Sequence, residues 1–246
     1  MKPQILVIQF RTNEAGIKAE YGVFDRILGK HADFVYRNAL KDEVDWGNPQ
    51  ETVDNFDGVI LGGSPELYFD GGHPDEYEGR AATDKIVAAA KPYLWKLAEE
   101  GMPMFGICFG HQILGHIFGA PIRRSQTEAK SGTYEVYVTE EGKRDPLFKD
   151  MPEKFTGQYT HKDAICDLPS NAAVLAENSD KCRFAALRFA PGVYGVQFHP
   201  ERSREDCLAG MKRTPEYLPE GVTAEEIFED SKDSERLLVN FVSLTQ

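Results

Sequence analysis

The chain has 246 residues, 41% hydrophobic and 28% charged, enough to bury a substantial core in one large domain or two small ones. Its formal net charge of −12 repels phosphate backbones and anionic headgroups, which argues against nucleic acid and membrane as partners and leaves the adjacent Arg123 and Arg124 as a solvated positive spot. The opening apolar run is too short for a secretory signal, and no stretch approaches the ~18 apolar residues of a membrane span. Cys108, Cys166, Cys182 and Cys207 show no CxxC spacing, so neither a zinc cluster nor a disulfide framework is expected, and the setting reads as reducing and cytoplasmic.

Gln4 to Phe10 predicts a buried strand, and Ile17, Tyr21, Phe24, Ile27 and Leu28 have helical spacing over Glu14 to Gly29. Ala32 to Tyr36 predicts a second strand, followed by a polar stretch with Trp46 and Pro49. Phe56 to Leu61 predicts a third, ending in Gly62-Gly63-Ser64-Pro65. This rhythm is that of a mostly parallel sheet flanked by helices. Residues 66–82 read as a long polar loop, and a helix is expected from Thr83 to Glu100, bent or restarted at Pro92. Met102 to Ile107 predicts a fourth strand, and Phe109 to Phe118 a helix. Short strands follow at Tyr134 to Val138, Ala172 to Ala176, Phe184 to Phe189 and Val193 to Phe198, spaced for an added antiparallel or mixed sheet. The chain beyond Glu201 reads as charged loop through Pro215 and Pro219, then an amphipathic helix around Ile227 to Val242. One α/β domain spanning 1–246 is the expected organisation.

The most informative segment is Gly106-Ile107-Cys108-Phe109-Gly110-His111-Gln112. An apolar strand runs into a cysteine with glycines two residues to either side, and a helix follows, the pattern of a nucleophile elbow. A side chain at either glycine would strike the neighbouring element. The elbow lifts the thiol to the carboxyl edge of the sheet, where open α/β folds bind ligands, and places it at a helix start that favours thiolate. A lone cysteine after a strand is more often a small buried hydrophobe; the paired glycines shift the balance toward chemistry.

A cysteine nucleophile needs a base, and the base an orienting group. Gly195-Val196-Gln197-Phe198-His199-Pro200-Glu201 supplies both, because residues two apart on an extended segment share a face. His31 and His73 read as exposed, and His111 and His116 lie along the helix after the elbow. His161, in Thr160-His161-Lys162-Asp163, is the rival base, and spacing alone leaves that choice open.

GICFGHQ at 106–112 and GVQFHPE at 195–201 resemble the two most diagnostic motifs of the class I glutamine amidotransferases, in the family's order. The GGS at 62–64, SGTYEV at 131–136, THKD at 160–163 and LLVNF at 237–241 are similar as well, so the resemblance spans nearly the whole chain. It implies a flavodoxin-like α/β fold and hydrolysis of a γ-glutamyl amide through a γ-glutamyl thioester. By position, Cys108 would be the nucleophile, His199 the base and Glu201 its orienter. Gly63 and Phe109 would form the oxyanion hole, and Gly62, Gln112, Thr160 and His161 would contact the substrate. In the THKD run, threonine and lysine replace the serine and glycine of the family's S-H-G-D.

No metal or cofactor is called for: no phosphate-cradling glycine loop follows the first strand, which weighs against a flavin. No nucleotide loop for ATP is present either. The expected substrate is therefore a small molecule, glutamine or a γ-glutamyl compound, and any acceptor chemistry lies on a separate synthase or is absent. The long loop at 66–82 and the charged segment from Ser203 to Asp233 favour a free-standing enzyme over a γ-glutamyl peptidase relative or an ammonia-delivering subunit. Since all three candidate positions hold competent residues, a catalytically dead relative is disfavoured.

Overall fold

A computed structural model describes residues 1–70, 77–125, 127–178, 181–231 and 233–246. β1 (Gln4–Gln9) leads into α1 (Glu14–Leu28), whose first turn is closed by the Asn13 side chain accepting from Gly16 N–H. β2 (Asp33–Asn38) and α2 (Pro49–Asn55) follow, then β3 (Gly58–Leu61), α3 (Tyr77–Glu99), β4 (Met104–Ile107) and α4 (Phe109–Ile117). The second half runs β5 (Ile122–Arg124), β6 (Lys130–Val138), α5 (Glu140–Arg144), β7 (Lys154–His161), β8 (Asp163–Ile165), β9 (Ala173–Asn178), β10 (Cys182–Ala190) and β11 (Val193–Val196). α6 (Arg204–Arg213), α7 (Ala224–Ile227) and α8 (Glu235–Ser243) close the chain.

Among the described residues, nine strands form one sheet in the order β2-β1-β3-β4-β11-β10-β9-β6-β7, and β5 pairs with β8 in a small antiparallel sheet. Pairing is parallel from β2 to β11 and antiparallel from β11 to β7. β11 is thus the seam: it belongs late in the chain yet lies in the parallel half beside β4. Side chains alternate between two cores. Leu6 and Ile8 of β1 face the layer containing Leu94 and Ile113 of α3 and α4, whereas Ile5 and Val7 face Phe24 of α1 and Phe241 of α8. Both faces of the parallel half are covered, which is why its strands read as apolar runs.

The placement of β3, β4 and β11 side by side creates the site. Leu61 pairs with Gly106, and Gly106 with Gly195. The three strands run in one direction and stop at one edge, so the segments at Gly63, Cys108 and His199 converge there despite lying far apart in sequence.

Several expectations change. The polar stretch at 49–55 is a helix in which Pro49 starts the first turn, where its missing N–H costs nothing. The helix expected from Thr83 begins at Tyr77, and Pro92 sits inside it, exposed, without dividing it. Of the loop expected at 66–82, residues 71–76, including His73, lie outside the described residues; His31 is exposed as expected. The charged segment after Glu201 contains α6 and α7. α6 begins with a capping box formed by Ser203 and Asp206 and buries only Cys207, Gly210 and Met211, too narrow a stripe to read as helical periodicity. The last helix starts at Glu235, well after Ile227.

Candidate active site

The elbow is built as the glycines require. Cys108 has φ 52° and ψ −101°, outside the regions an L-residue adopts readily. Its N–H is held by Val196 O at 2.8 Å, while its C=O accepts Gln112 N–H at 3.0 Å to start α4. A Cβ on Gly106 would lie 2.5 Å from Gly110 C and O, and one on Gly110 would lie 2.2 Å from Leu61 O. Strand β3, the elbow and α4 are therefore in backbone contact, and the turn is held from both sides.

His199 follows β11 and its N–H donates to Gln158 O of β7 at 2.7 Å. Its Nδ1 lies 2.7 Å from Glu201 Oε1. A carboxylate only accepts, so Nδ1 carries the proton and Nε2 of the neutral ring is left as acceptor. That Nε2 takes a hydrogen bond from Thr160 Oγ1 at 3.0 Å, and the Cys108 thiol points to Thr160 O at 3.9 Å. In the resting arrangement thiol and imidazole are each bonded to Thr160 rather than to each other. They nevertheless flank one point: a Cβ on Gly63 would lie 3.0 Å from His199 Cε1 and 3.6 Å from Cys108 Cβ. His161 is buried beside them, but its Nδ1 donates to the Asp163 carbonyl at 3.0 Å, so no carboxylate orients it. His111 is buried on α4 against Gly195 and Phe189, away from the thiol.

The thiol and the imidazole face different spaces. Cys108 is only 5% exposed and borders a void of about 10 Å³, room for one water, lined by Ser64, Phe109, Gln112, Thr160 and Asp163 among others. The expectation of a thiol open to a crevice is met instead by His199, which borders a cleft of about 330 Å³ together with Arg11, Ser64, Thr160, Arg202 and Tyr217. Tyr217 borders both spaces. It belongs to the turn after α6, where its O–H donates to Tyr68 Oη at 3.0 Å and its carbonyl accepts from Ser131 Oγ at 2.6 Å. The segment from Ser203 onward is thus a wall of the site, a role its sequence did not disclose.

Of the remaining expected site residues, Gln112 is buried with its amide nitrogen donating to Asp163 O at 2.7 Å and Gln197 Oε1 at 3.2 Å. Gly62 accepts Gly110 N–H through its carbonyl at 3.1 Å. Phe109 is the first residue of α4, and its amide is directed at the Cys108 sulfur. Among the described residues, Gly63 N–H has no hydrogen-bond partner.

The profile of the family glutamine amidotransferase class-I matches residues 32–207. The chain belongs to that family. It is 33% identical over 177 residues to one of the two-part glutamine-hydrolysing GMP synthase polypeptides of Pyrococcus abyssi, covering 72% of this chain and 79% of that one. The corresponding GMP synthase polypeptide of Methanococcus aeolicus is 38% identical over 106 residues, 43% of this chain, and the match spans about half of that relative, 54% of its length. A glutamine amidotransferase of Thermotoga maritima shares the fold, with a TM-score of 0.74 at 17% identity over 100% of this chain and 98% of that one.

In this class-I amidotransferase chain, burial governs the charge state of the pair. It pushes the Cys108 thiol up to about 12, although Arg202 and Arg11 pull the other way. It pushes His199 down to about 4, assisted by Arg202 and opposed by Glu201. Burial also works against the Glu201 carboxylate, but His199 and Arg202 hold it below the usual range. The helix-start preference for thiolate is therefore outweighed, and the resting pair is thiol and neutral imidazole. Alkylation of Cys108 by iodoacetamide is accordingly expected to be slow at pH 7 and to rise about tenfold per pH unit from pH 8 to 10. Rapid alkylation that is flat across neutral pH would show a standing thiolate instead.

His111 and His161 are likewise pushed down to about 3 by burial. Above pH ~6.5 all three rings are neutral whether the chain is folded or not. As pH falls below that value the unfolded chain takes up protons that the folded one refuses, so stability is lost down to about pH 3–4, by up to about 1.4 kcal/mol per pH unit for each ring. Denaturant melts between pH 7 and 4 are expected to show this decline, and a His111→Asn variant a shallower one.

Proposed function

We propose that residues 1–246 act as one catalytic domain that hydrolyses the γ-carboxamide of glutamine, or a related γ-glutamyl amide, through a thioester on Cys108. The observation that carries this reading is the strained cysteine at the edge where Gly63 and a Glu201-bonded His199 converge. A strained backbone at a non-glycine residue persists only where its surroundings enforce it, and such positions gather at reacting centres.

In this reading the γ-carbonyl carbon enters beside Cys108 and displaces the Thr160 contacts. His199 Nε2 takes the thiol proton as sulfur attacks, Glu201 steadies the imidazolium, and the amide N–H groups of Gly63 and Phe109 receive the developing oxyanion. The proton passes to the leaving nitrogen, the C–N bond breaks, and an amine or ammonia departs. Water then gives its proton to His199 as it attacks the thioester, the C–S bond breaks, and glutamate leaves with the thiol restored. Gly62, Gln112, Thr160 and His161 lie where the glutamyl group would be held. No step calls for a metal, and among the described residues no group of three metal-ligating side chains is present.

The four cysteines are free and no described helix is long and apolar enough to cross a membrane; both support a cytoplasmic setting. A second reading is favoured by the relatives themselves, which are named as individual subunits of glutamine-hydrolysing GMP synthases: the ammonia would feed a separate synthase polypeptide. One assay panel on the protein alone separates the two. Glutamate release from γ-glutamyl peptides supports independent hydrolysis. Glutamine turnover that stays negligible until a synthase is added supports the two-polypeptide reading, and no turnover of either substrate under any condition rejects both.

A further inference from the structure

The cleft beside His199 carries a charge pattern at odds with the rest of the molecule. In a chain of net charge −12, three arginines, Arg11, Arg202 and Arg213, border it together. Two are fixed from behind. Arg11 is 7% exposed, and its Nε donates to Glu20 Oε1 at 3.1 Å, which leaves its terminal nitrogens directed past Gly63, 3.7 Å from where a Cβ there would be. Arg202 is held by Glu201 Oε1 at 3.4 Å, and its backbone N–H by His199 O at 3.3 Å. Arg213, at the end of α6, makes no ion pair among the described residues, and its charged form is disfavoured by burial and by the two neighbouring guanidiniums. Two carboxylates share the lining, Glu66 and Glu216, but that of Glu66 is committed to the N–H and O–H of Thr12. Like charges brought this close favour an anion among them, and planar guanidiniums match a carboxylate in geometry.

The position of these arginines says which part of the reaction they serve. The sulfur borders the small closed space with Gln112 and Asp163, whereas the imidazole borders the open cleft, with Ser64, Thr160 and Tyr217 shared between them. On the thioester reading, which this inference rests on, the glutamyl carbon sits on the sulfur side and the leaving nitrogen takes its proton from His199. What departs must therefore lie toward the arginines. Ammonia needs neither about 330 Å³ nor positive charge; a volume of that size suits a small organic ligand.

We infer that the arginine-lined cleft receives the carboxylate of the leaving amine, so that the substrate class is a γ-glutamyl amino acid or short γ-glutamyl peptide. The reaction adds water across the γ-amide, yielding glutamate and the free amino acid or peptide.

The test compares γ-glutamylglycine, γ-glutamylglycinamide and glutamine with wild-type protein and with Arg213→Ala and Arg213→Lys. Arg213 is chosen because Arg11 and Arg202 brace other groups of the site. The expected result is a kcat/KM about tenfold or more higher for the acid than for its amide in the wild type, as a charge-assisted contact provides. That preference should collapse toward unity in Arg213→Ala and return in part in Arg213→Lys. Equal rates for acid and amide would overturn the inference. So would an Arg213→Ala effect as large on glutamine as on γ-glutamylglycine, since the arginine would then hold the glutamyl α-carboxylate. If no substrate turns over, the thioester reading fails, but the subsite is still read by calorimetry on Cys108→Ala protein: tighter binding of the acid than of the amide supports it, and equal binding refutes it.

Discussion

Cys108→Ala is expected to reduce glutamine turnover by about 10⁴-fold or more, the scale of losing a nucleophile, with the protein still folded. The side chain is buried but small, and alanine meets the same backbone strain at φ 52°. The loss of packing is about 1 kcal/mol, which shifts Tm by about 2–4 °C for a chain of this length. Ammonia release and a thermal melt on one preparation decide the matter. Turnover within tenfold of wild type would remove Cys108 from the chemistry, and collapse of the melt would leave the activity loss uninformative. His199→Ala is expected to approach the same loss, because no other imidazole among the described residues has both a carboxylate partner and access to the cleft. His161→Ala should cost far less. Were the two losses reversed, the base would be His161, and the Glu201 contact a structural one.

The site was legible in the sequence wherever chemistry and geometry demand the same residue. Gly106 and Gly110 mark the elbow because a Cβ at either would overlap backbone. The pairing of His199 with Glu201 across Pro200 follows from the two-residue repeat of an extended chain, and the 2.7 Å contact realises it. The convergence of Cys108 and His199 could not be read from spacing. It depends on β11 inserting beside β4, a long-range pairing to which the antiparallel strands between them give no local signal.

What stayed hidden was decided by solvent and by weakly patterned segments. The helix-start argument favoured thiolate at Cys108, but nothing in one segment reports how much of the surrounding fold will cover it. Burial proved the larger effect. Thr160 read as a substrate contact; that its hydroxyl would hold the imidazole and its carbonyl the thiol follows from β7 lying across the site, and that strand was itself not foreseen. The stretch after Glu201 read as loop because α6 buries a narrow stripe, and its role as a wall rests on Tyr217 reaching Tyr68 across the chain.

Gly110→Ala is expected to cause the largest loss of stability of any single methyl added near the site. In an exposed helix the same substitution stabilises by up to about 1 kcal/mol, because alanine is the better helix former. At Gly110 the new carbon would lie 2.2 Å from Leu61 O and 2.7 Å from Leu61 C. Those are backbone atoms of a central strand, paired through Leu61 with Gly106 and continued by Gly62 O, which accepts Gly110 N–H. Relief requires α4 to lift from β3, which breaks that hydrogen bond and opens the core beneath Ile113 and Leu114. A loss of more than about 4 kcal/mol follows, a large share of a typical stability of about 5–15 kcal/mol. Gly22 in α1 supplies the opposite case, since a Cβ there meets nothing within 4 Å. Gly22→Ala is expected to raise Tm, while Gly110→Ala lowers it by about 8–16 °C or prevents soluble expression. Similar shifts for both variants would mean that α4 does not press against β3, and the enforced turn at Cys108 would lose its cause.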